Sequence, residues 1–200
     1  VLFYIPAVTS HQPSQKMVQD FEDIWNKIEA TLPEPLLGFC HADYHLENLL
    51  WCPDHPKGYG LIDFQGAFWG PLPYDLLNLL EDARQDVPHD IKVAMLGRYC
   101  DDMSCAEKES FEIWYQYLSA HFHCRVIGLF IKIHLERGMD EYLVHIPRLQ
   151  NYIKSHLNNP LLAPIKEKCD ALGVSFDVDI TPQFLAVSYT HLRAHETLLD

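Results

Sequence analysis

"FCHADYHLENLLW" (residues 39–51) sets His41, Asp43, His45, Glu47 and Asn48 between apolar shoulders. Three readings compete for it. His41, Asp43 and His45 could ligate the metal of a hydrolase, Asp43 and Asn48 could form a phosphoryl-transfer loop, or the stretch could be a polar turn between buried strands. The flanks narrow the choice. "LLGFC" (36–40), "NLLW" (48–51) and "GLIDF" (60–64) are short apolar runs separated by polar or Pro- and Gly-containing segments, the pattern of short strands. "CPDHPKGYG" (52–60) suits the loop of a hairpin between the last two.

Helical periodicity surrounds this strand cluster. From Ser14, an expected N-cap, apolar residues recur at Met17, Val18, Phe21, Ile24, Trp25, Ile28 and Leu32, and Pro33 and Pro35 end the run. Downstream, 74–85, 90–100 and 107–137 carry the same periodicity, the last stopped by Gly138. Shorter helices are expected from Pro147 and from Pro160 to about Leu172, with Gly173 as a stop. The class is therefore α+β: a mostly helical lobe with a small β-hairpin set into one face. The polar residues then fall at strand ends and turns, where a rigid scaffold presents chemistry.

Composition bounds the function. With 200 residues, 48% hydrophobic and 22% charged, the chain can build a sizeable core. A net charge of -13 argues against a nucleic-acid surface, which needs clustered Lys and Arg. The 6 cysteines (40, 52, 100, 105, 124, 169) form no C-x-x-C pair, so they read as reduced, mostly buried thiols of a cytoplasmic protein. The apolar runs are too short for a bilayer, which takes about 20 such residues, so no membrane partner is expected.

Transfer of a γ-phosphate needs a carboxylate to orient and deprotonate the attacking hydroxyl, and oxygen ligands to hold Mg²⁺ against the phosphates. Asp43 fits the first need and Asn48 and Asp63 the second, because a hairpin from Asn48 returns Asp63 beside the loop. A zinc centre on His41, Asp43 and His45 would recruit a further ligand, and no partner stands at a recognisable spacing. Nor do His121 and His123 share an ion easily: two residues apart on a helix they point to different faces, as solvated or cleft-lining groups. Phe111, Trp114, Tyr115 and Tyr117 read as core, and "EDARQD" (81–86) as a solvated helix end.

"HADYHLEN" (41–48) resembles the catalytic loop H-x-D-x-x-x-x-N of the aminoglycoside phosphotransferase and choline kinase superfamily, relatives of the protein kinases, and "IDFQ" (62–65) its metal-binding Asp segment. The stretch "DFQGAFWGPLPYDLLNLLEDAR" (63–84) is similar to the bacterial N-acetylmuramate and N-acetylglucosamine kinases, and the likeness extends to "YIPAVTS" (4–10), "VIGLF" (126–130) and "YLVHIPRL" (142–149). The resemblance implies a protein-kinase-like fold and ATP-dependent, Mg²⁺-dependent transfer to a hydroxyl of an amino sugar. It implies Asp43 as catalytic base, with His41 as a structural member of the catalytic loop. It further implies Asn48 and Asp63 as ligands of Mg²⁺ and of the nucleotide phosphates, Asp75 as support beneath the loop, and His45 and Gln65 as contacts of the acceptor sugar. Gly66 stands where relatives often carry Asp, and "AHFHC" (120–124) where they tend to carry Gln-Arg or Arg-Asn pairs. The same family includes kinases of choline, homoserine and aminoglycosides; a non-catalytic, pseudokinase-like module is the reading from another class.

Residues 1–180 are expected to form the C-terminal catalytic lobe, with the N-terminal ATP lobe missing. The chain opens at Val1, its first lysine is Lys16, and no Gly-rich phosphate loop occurs. Such a lobe is expected to bind ATP poorly alone. "VSYTHLRAHETLLD" (187–200) resembles translated adapter DNA, a non-native tail; a native amphipathic tail is the alternative.

Overall fold

The computed structural model describes the backbone of residues 1–9 and 11–196, and side chains as far as Tyr189. Of the tail expected at 187–200, the backbone as far as Glu196 belongs to α8, and 197–200 lie outside the described residues. In chain order the elements are α1 (Tyr4–Val8), α2 (Gln15–Glu29), β1 (Leu37–Cys40), β2 (Leu49–Trp51), β3 (Tyr59–Leu61), β4 (Phe68–Pro71), α3 (Pro73–Leu80), α4 (His89–Cys100), α5 (Cys105–Arg137), α6 (Ile146–His156), α7 (Ala163–Ala171) and α8 (Pro182–Glu196). Short 3₁₀ turns cover Leu46–Asn48, Phe64–Gly66, Asp140–His145 and Pro160–Leu162. The described chain divides into two compact units, one of Leu32–Ser119 and one of Val1–Thr31 with Ala120 onward.

The Leu32–Ser119 unit holds all four strands. β2 and β3 form the expected hairpin, with Leu49 opposite Leu61 and Trp51 opposite Tyr59. β1 pairs antiparallel with β4, Leu37 opposite Pro71 and Cys40 opposite Phe68, so a second two-stranded sheet stands where a single hairpin was expected. β3 ends at Leu61 rather than running through Asp63, because Asp63 adopts a left-handed conformation (φ 65°) that no strand continues. α3 supplies the apolar floor with buried Leu76, Leu77 and Leu80, and the aromatic residues Phe111, Trp114, Tyr115 and Tyr117 of α5 are buried as their spacing suggests. Trp114 satisfies its indole by donating to the Pro33 carbonyl (2.8 Å).

"EDARQD" corrects the expectation of a solvated helix end. α3 stops at Leu80, and Glu81, Asp82 and Ala83 are buried. The chemistry explains it: Glu81 is ion-paired with Lys92 and accepts from the Tyr115 hydroxyl (3.2 Å), while the Asp82 carboxylate accepts the Arg84 backbone N–H (2.7 Å). Glu81 and Asp82 are thus buried with partners, while Gln85 and Asp86 are exposed as expected.

The other unit packs α1, α2, α6, α7 and α8 with the later part of α5 around Ile127, Ile131, Leu149, Ile153, Ile165 and Leu185. Ser14 caps α2, its hydroxyl accepting the Met17 N–H (3.1 Å), and α2 ends at Glu29, short of Leu32. Gly138 and Gly173, both at φ +67°, follow the ends of α5 and α7, a conformation that costs other residues a Cβ clash. Tyr4 stacks on Phe176 (5.3 Å) and donates its hydroxyl to the Ser175 carbonyl (2.7 Å). His123 is buried rather than solvated: its ring lies 4.7 Å from that of Tyr152 and stacks on His156, whereas His121 meets the edge of Trp25. All six cysteines are free, but only Cys40 and Cys169 are buried, which corrects the mostly buried set expected. Among the described residues no helix is long and apolar enough to cross a membrane.

Candidate active site

The segment that carries His41, Asp43 and Asn48 leaves β1 at Cys40 and re-enters the β2–β3 hairpin at Leu49, so both ends are pinned to strands. Between them Ala42 adopts φ 78°, a left-handed conformation that costs a residue with a Cβ about 1–2 kcal/mol. Asp75, in the first turn of α3, holds that geometry. Its Oδ2 accepts the His41 N–H (2.5 Å) and its Oδ1 the Ala42 N–H (3.1 Å), two charge-assisted bonds to consecutive amides.

The loop's side chains converge above this anchor. Asn48, buried, donates its Nδ2 to the Asp43 carbonyl (2.8 Å) and to Asp43 Oδ2 (3.2 Å). That fixes the amide's orientation, since both partners are acceptors, and turns Asn48 Oδ1 away from them. His45, also buried, places Nε2 3.3 Å from Asp43 Oδ2 and 3.3 Å from Asn48 Nδ2. Asp43 itself stays exposed, its side chain 58% accessible, so it is held from one side and open on the other. His41 turns inward instead: it is buried, and its Nε2 lies 2.9 Å from the Ile62 carbonyl. A carbonyl only accepts, so Nε2 is the nitrogen that donates in this contact.

Asp63 reaches the loop through its neighbours. The His41 ring holds the Ile62 carbonyl, the Ile62 N–H donates to the Asn48 carbonyl (3.2 Å), and a Cβ at Gly66 would lie 3.7 Å from that of Ala42. Asp63 is exposed, and Gln65 donates its Nε2 to Asp63 Oδ1 (3.1 Å). The structure therefore brings Asp43, His45 and Asn48 into direct contact. It ties the Asp63 segment to them through His41, and it places Gln65 on Asp63 rather than against His45.

Two further side chains belong to this cluster. Glu47 Oε2 lies 3.8 Å from His45 Nδ1 and 3.7 Å from Nη1 of Arg84. Neither residue was given a role from sequence; the signal available was Glu47's place inside the loop motif, while Arg84 follows the end of α3 at Leu80. Behind the loop a cavity of about 1030 Å³ is lined by Phe39, Tyr44, Leu46, Asp75, Met95 and Arg98 among others. Burial there pushes the Tyr44 and Tyr99 hydroxyls above their ordinary pKa.

As a donor set for a divalent metal, Asn48 Oδ1 and the Asp63 carboxylate are hard oxygens of the kind that Mg²⁺ selects. The residues fit such an ion.

The phosphotransferase enzyme family profile matches residues 3–121, more than half of the chain. The N-acetylmuramate/N-acetylglucosamine kinase of Caulobacter vibrioides is 35% identical over 149 residues, covering 74% of this chain and 41% of that protein. The proteins of the same name from Neisseria meningitidis serogroup B and Pseudomonas putida are 30% and 31% identical, over 66% and 70% of this chain and 41% and 42% of their own length. The chain thus spans about two fifths of the curated relatives it matches. With the matched residues running through the whole of the Asp43–Asn48 loop and the Asp63 segment, the chain belongs to the phosphotransferase enzyme family.

Proposed function

We propose that this chain carries the acceptor-side catalytic machinery of an ATP-dependent kinase that phosphorylates a hydroxyl of an amino sugar, N-acetylmuramate or N-acetylglucosamine. The observation that carries the reading is the grip of Asn48 Nδ2 on both the backbone and the carboxylate of Asp43, which leaves one face of that carboxylate open to a hydroxyl. The names of the relatives supply the acceptor class.

In this account Asp43 accepts a hydrogen bond from the acceptor hydroxyl, aligns its oxygen for in-line attack and takes its proton as the phosphoryl group arrives. Asn48 keeps the Asp43 rotamer fixed, and His41 and Asp75 keep the loop in place. Asn48 and Asp63 would hold Mg²⁺, which when bound neutralises charge on the phosphates. Leu50 and Ile62, 46% and 42% exposed beside those two residues, offer apolar surface for a nucleoside base. His45, held against Asp43, and Gln65, held on Asp63, would be the acceptor contacts.

The test is a panel assay on the protein expressed from its gene with any upstream coding sequence in frame. ATP-dependent phosphorylation is measured for N-acetylmuramate, N-acetylglucosamine, choline, homoserine and an aminoglycoside. Transfer confined to the amino sugars supports the proposal. Transfer to choline or homoserine alone would move the acceptor, and ATP and Mg²⁺ binding without transfer to any would leave a binding module.

A further inference from the structure

The catalytic loop is acidic, with Asp43, Glu47 and Asp63 in a chain of net charge -13, so a negatively charged acceptor would meet repulsion unless a cation stands beside the loop. Among the described residues of the Leu32–Ser119 unit, Arg84 is the cation paired with a loop residue. Its guanidinium is one-third exposed. It faces Glu47 at 3.7 Å, a partner itself 63% exposed, and makes no hydrogen bond among the described residues, although guanidinium offers five donors. Such a pair is weak and exchangeable. The backbone beneath it is not: the Arg84 N–H donates to buried Asp82 (2.7 Å), which fixes where the side chain starts. From Arg84 the contacts run through Glu47 and His45 to Asp43.

We propose that Arg84 is a specificity residue that pairs with the carboxylate of an acidic acceptor sugar while Asp43 addresses its hydroxyl. This rests on the amino-sugar kinase reading and deepens it. The two acceptors in the relatives' names differ by one group: N-acetylmuramate carries a lactyl ether ending in a carboxylate, and N-acetylglucosamine does not. A planar carboxylate matches the guanidinium fork in a bidentate pair that the single long contact to Glu47 does not achieve. The acidic sugar would take the guanidinium over from Glu47; the neutral one would leave that pair intact.

The test compares kcat and KM for N-acetylmuramate, its lactyl amide and N-acetylglucosamine, in the protein expressed from its full reading frame, as wild type, Arg84→Gln and Arg84→Lys. Arg84→Gln is expected to raise KM for N-acetylmuramate by about 10- to 100-fold, the loss of one charge-assisted pair, with a far smaller change for the other two acceptors. Arg84→Lys keeps the charge without the fork and recovers part of the loss. Equal KM shifts for all three acceptors, or none, would overturn the assignment, as would a wild type that does not distinguish N-acetylmuramate from its amide. A wild type that phosphorylates none of the three defeats the amino-sugar kinase reading, and the inference with it.

Discussion

Asp75→Asn isolates the contact on which the loop's geometry depends. In the wild type each carboxylate oxygen accepts one backbone N–H, from His41 at 2.5 Å and Ala42 at 3.1 Å. Asparagine offers a single acceptor oxygen, and its NH₂ group would face the other N–H donor to donor. The variant loses the charge from one bond and orphans the second amide in a half-buried place, each worth about 1–3 kcal/mol, so a destabilisation of about 3 kcal/mol is expected. Ala42 gives an internal control. Its φ of 78° is held against a cost of about 1 kcal/mol, so Ala42→Gly should stabilise the wild type by up to about 1 kcal/mol. Urea unfolding followed by circular dichroism measures the free energies, and amide hydrogen exchange at residues 41 and 42 reports the loop directly. A loss below about 0.5 kcal/mol in Asp75→Asn, with unchanged exchange at those two amides, would refute the anchoring role.

Other consequences follow from contacts elsewhere in the chain. Lys92→Met leaves buried Glu81 without its ammonium partner and should cost about 3 kcal/mol, much of it recovered in the double variant with Glu81→Gln, as denaturant unfolding of the pair would show. Burial pushes the thiols of Cys40 and Cys169 from 9.0 up to about 11, and desolvation of the Cys124 thiol, in a residue that is itself only partly buried, pushes it to about 12. The folded state therefore keeps protons that the unfolded chain releases, so this stability is complete below pH 9.0 and is lost as pH rises through 11, readable as a falling unfolding midpoint over that range. Asn48→Ala frees the Asp43 carboxylate and removes an expected metal oxygen, so it should raise the Mg²⁺ concentration needed for half-maximal transfer and lower kcat by about 10²-fold or more, measured by metal titration at saturating ATP.

Local pattern carried much of this fold. The α2 cap at Ser14, the hairpin across the Pro- and Gly-rich 52–60 loop and the buried aromatic face of α5 each depend on a few neighbouring residues. β4 did not show because "FWGP" contains Gly70 and Pro71, which read as a turn, and its pairing partner β1 lies far back in the sequence, Cys40 opposite Phe68 and Leu37 opposite Pro71. The burial of Glu81 and Asp82 was hidden for a related reason: an acid looks solvated until Lys92, Tyr115 and the Arg84 amide are brought to it by the turn after α3. At the site, the residue types and their spacing were legible. The left-handed backbone at Ala42 and Asp63 was not, since neither residue is a glycine and only the surrounding bonds hold those conformations. Glu47 and Arg84 were likewise invisible as a pair, because 37 positions separate them and only the end of α3 brings them together.

In the proposed reaction Asp43 handles the proton of the acceptor hydroxyl. The most direct test of that role is transfer of ³²P from γ-labelled ATP into N-acetylmuramate and N-acetylglucosamine by the protein expressed from its full reading frame, wild type beside Asp43→Asn, with unfolding curves for both. Labelled sugar is expected with the wild type and a rate lower by about 10²- to 10⁴-fold in the variant, the range for loss of a general base, with the unfolding midpoint little changed. Near-normal labelling by a folded Asp43→Asn protein would contradict that role.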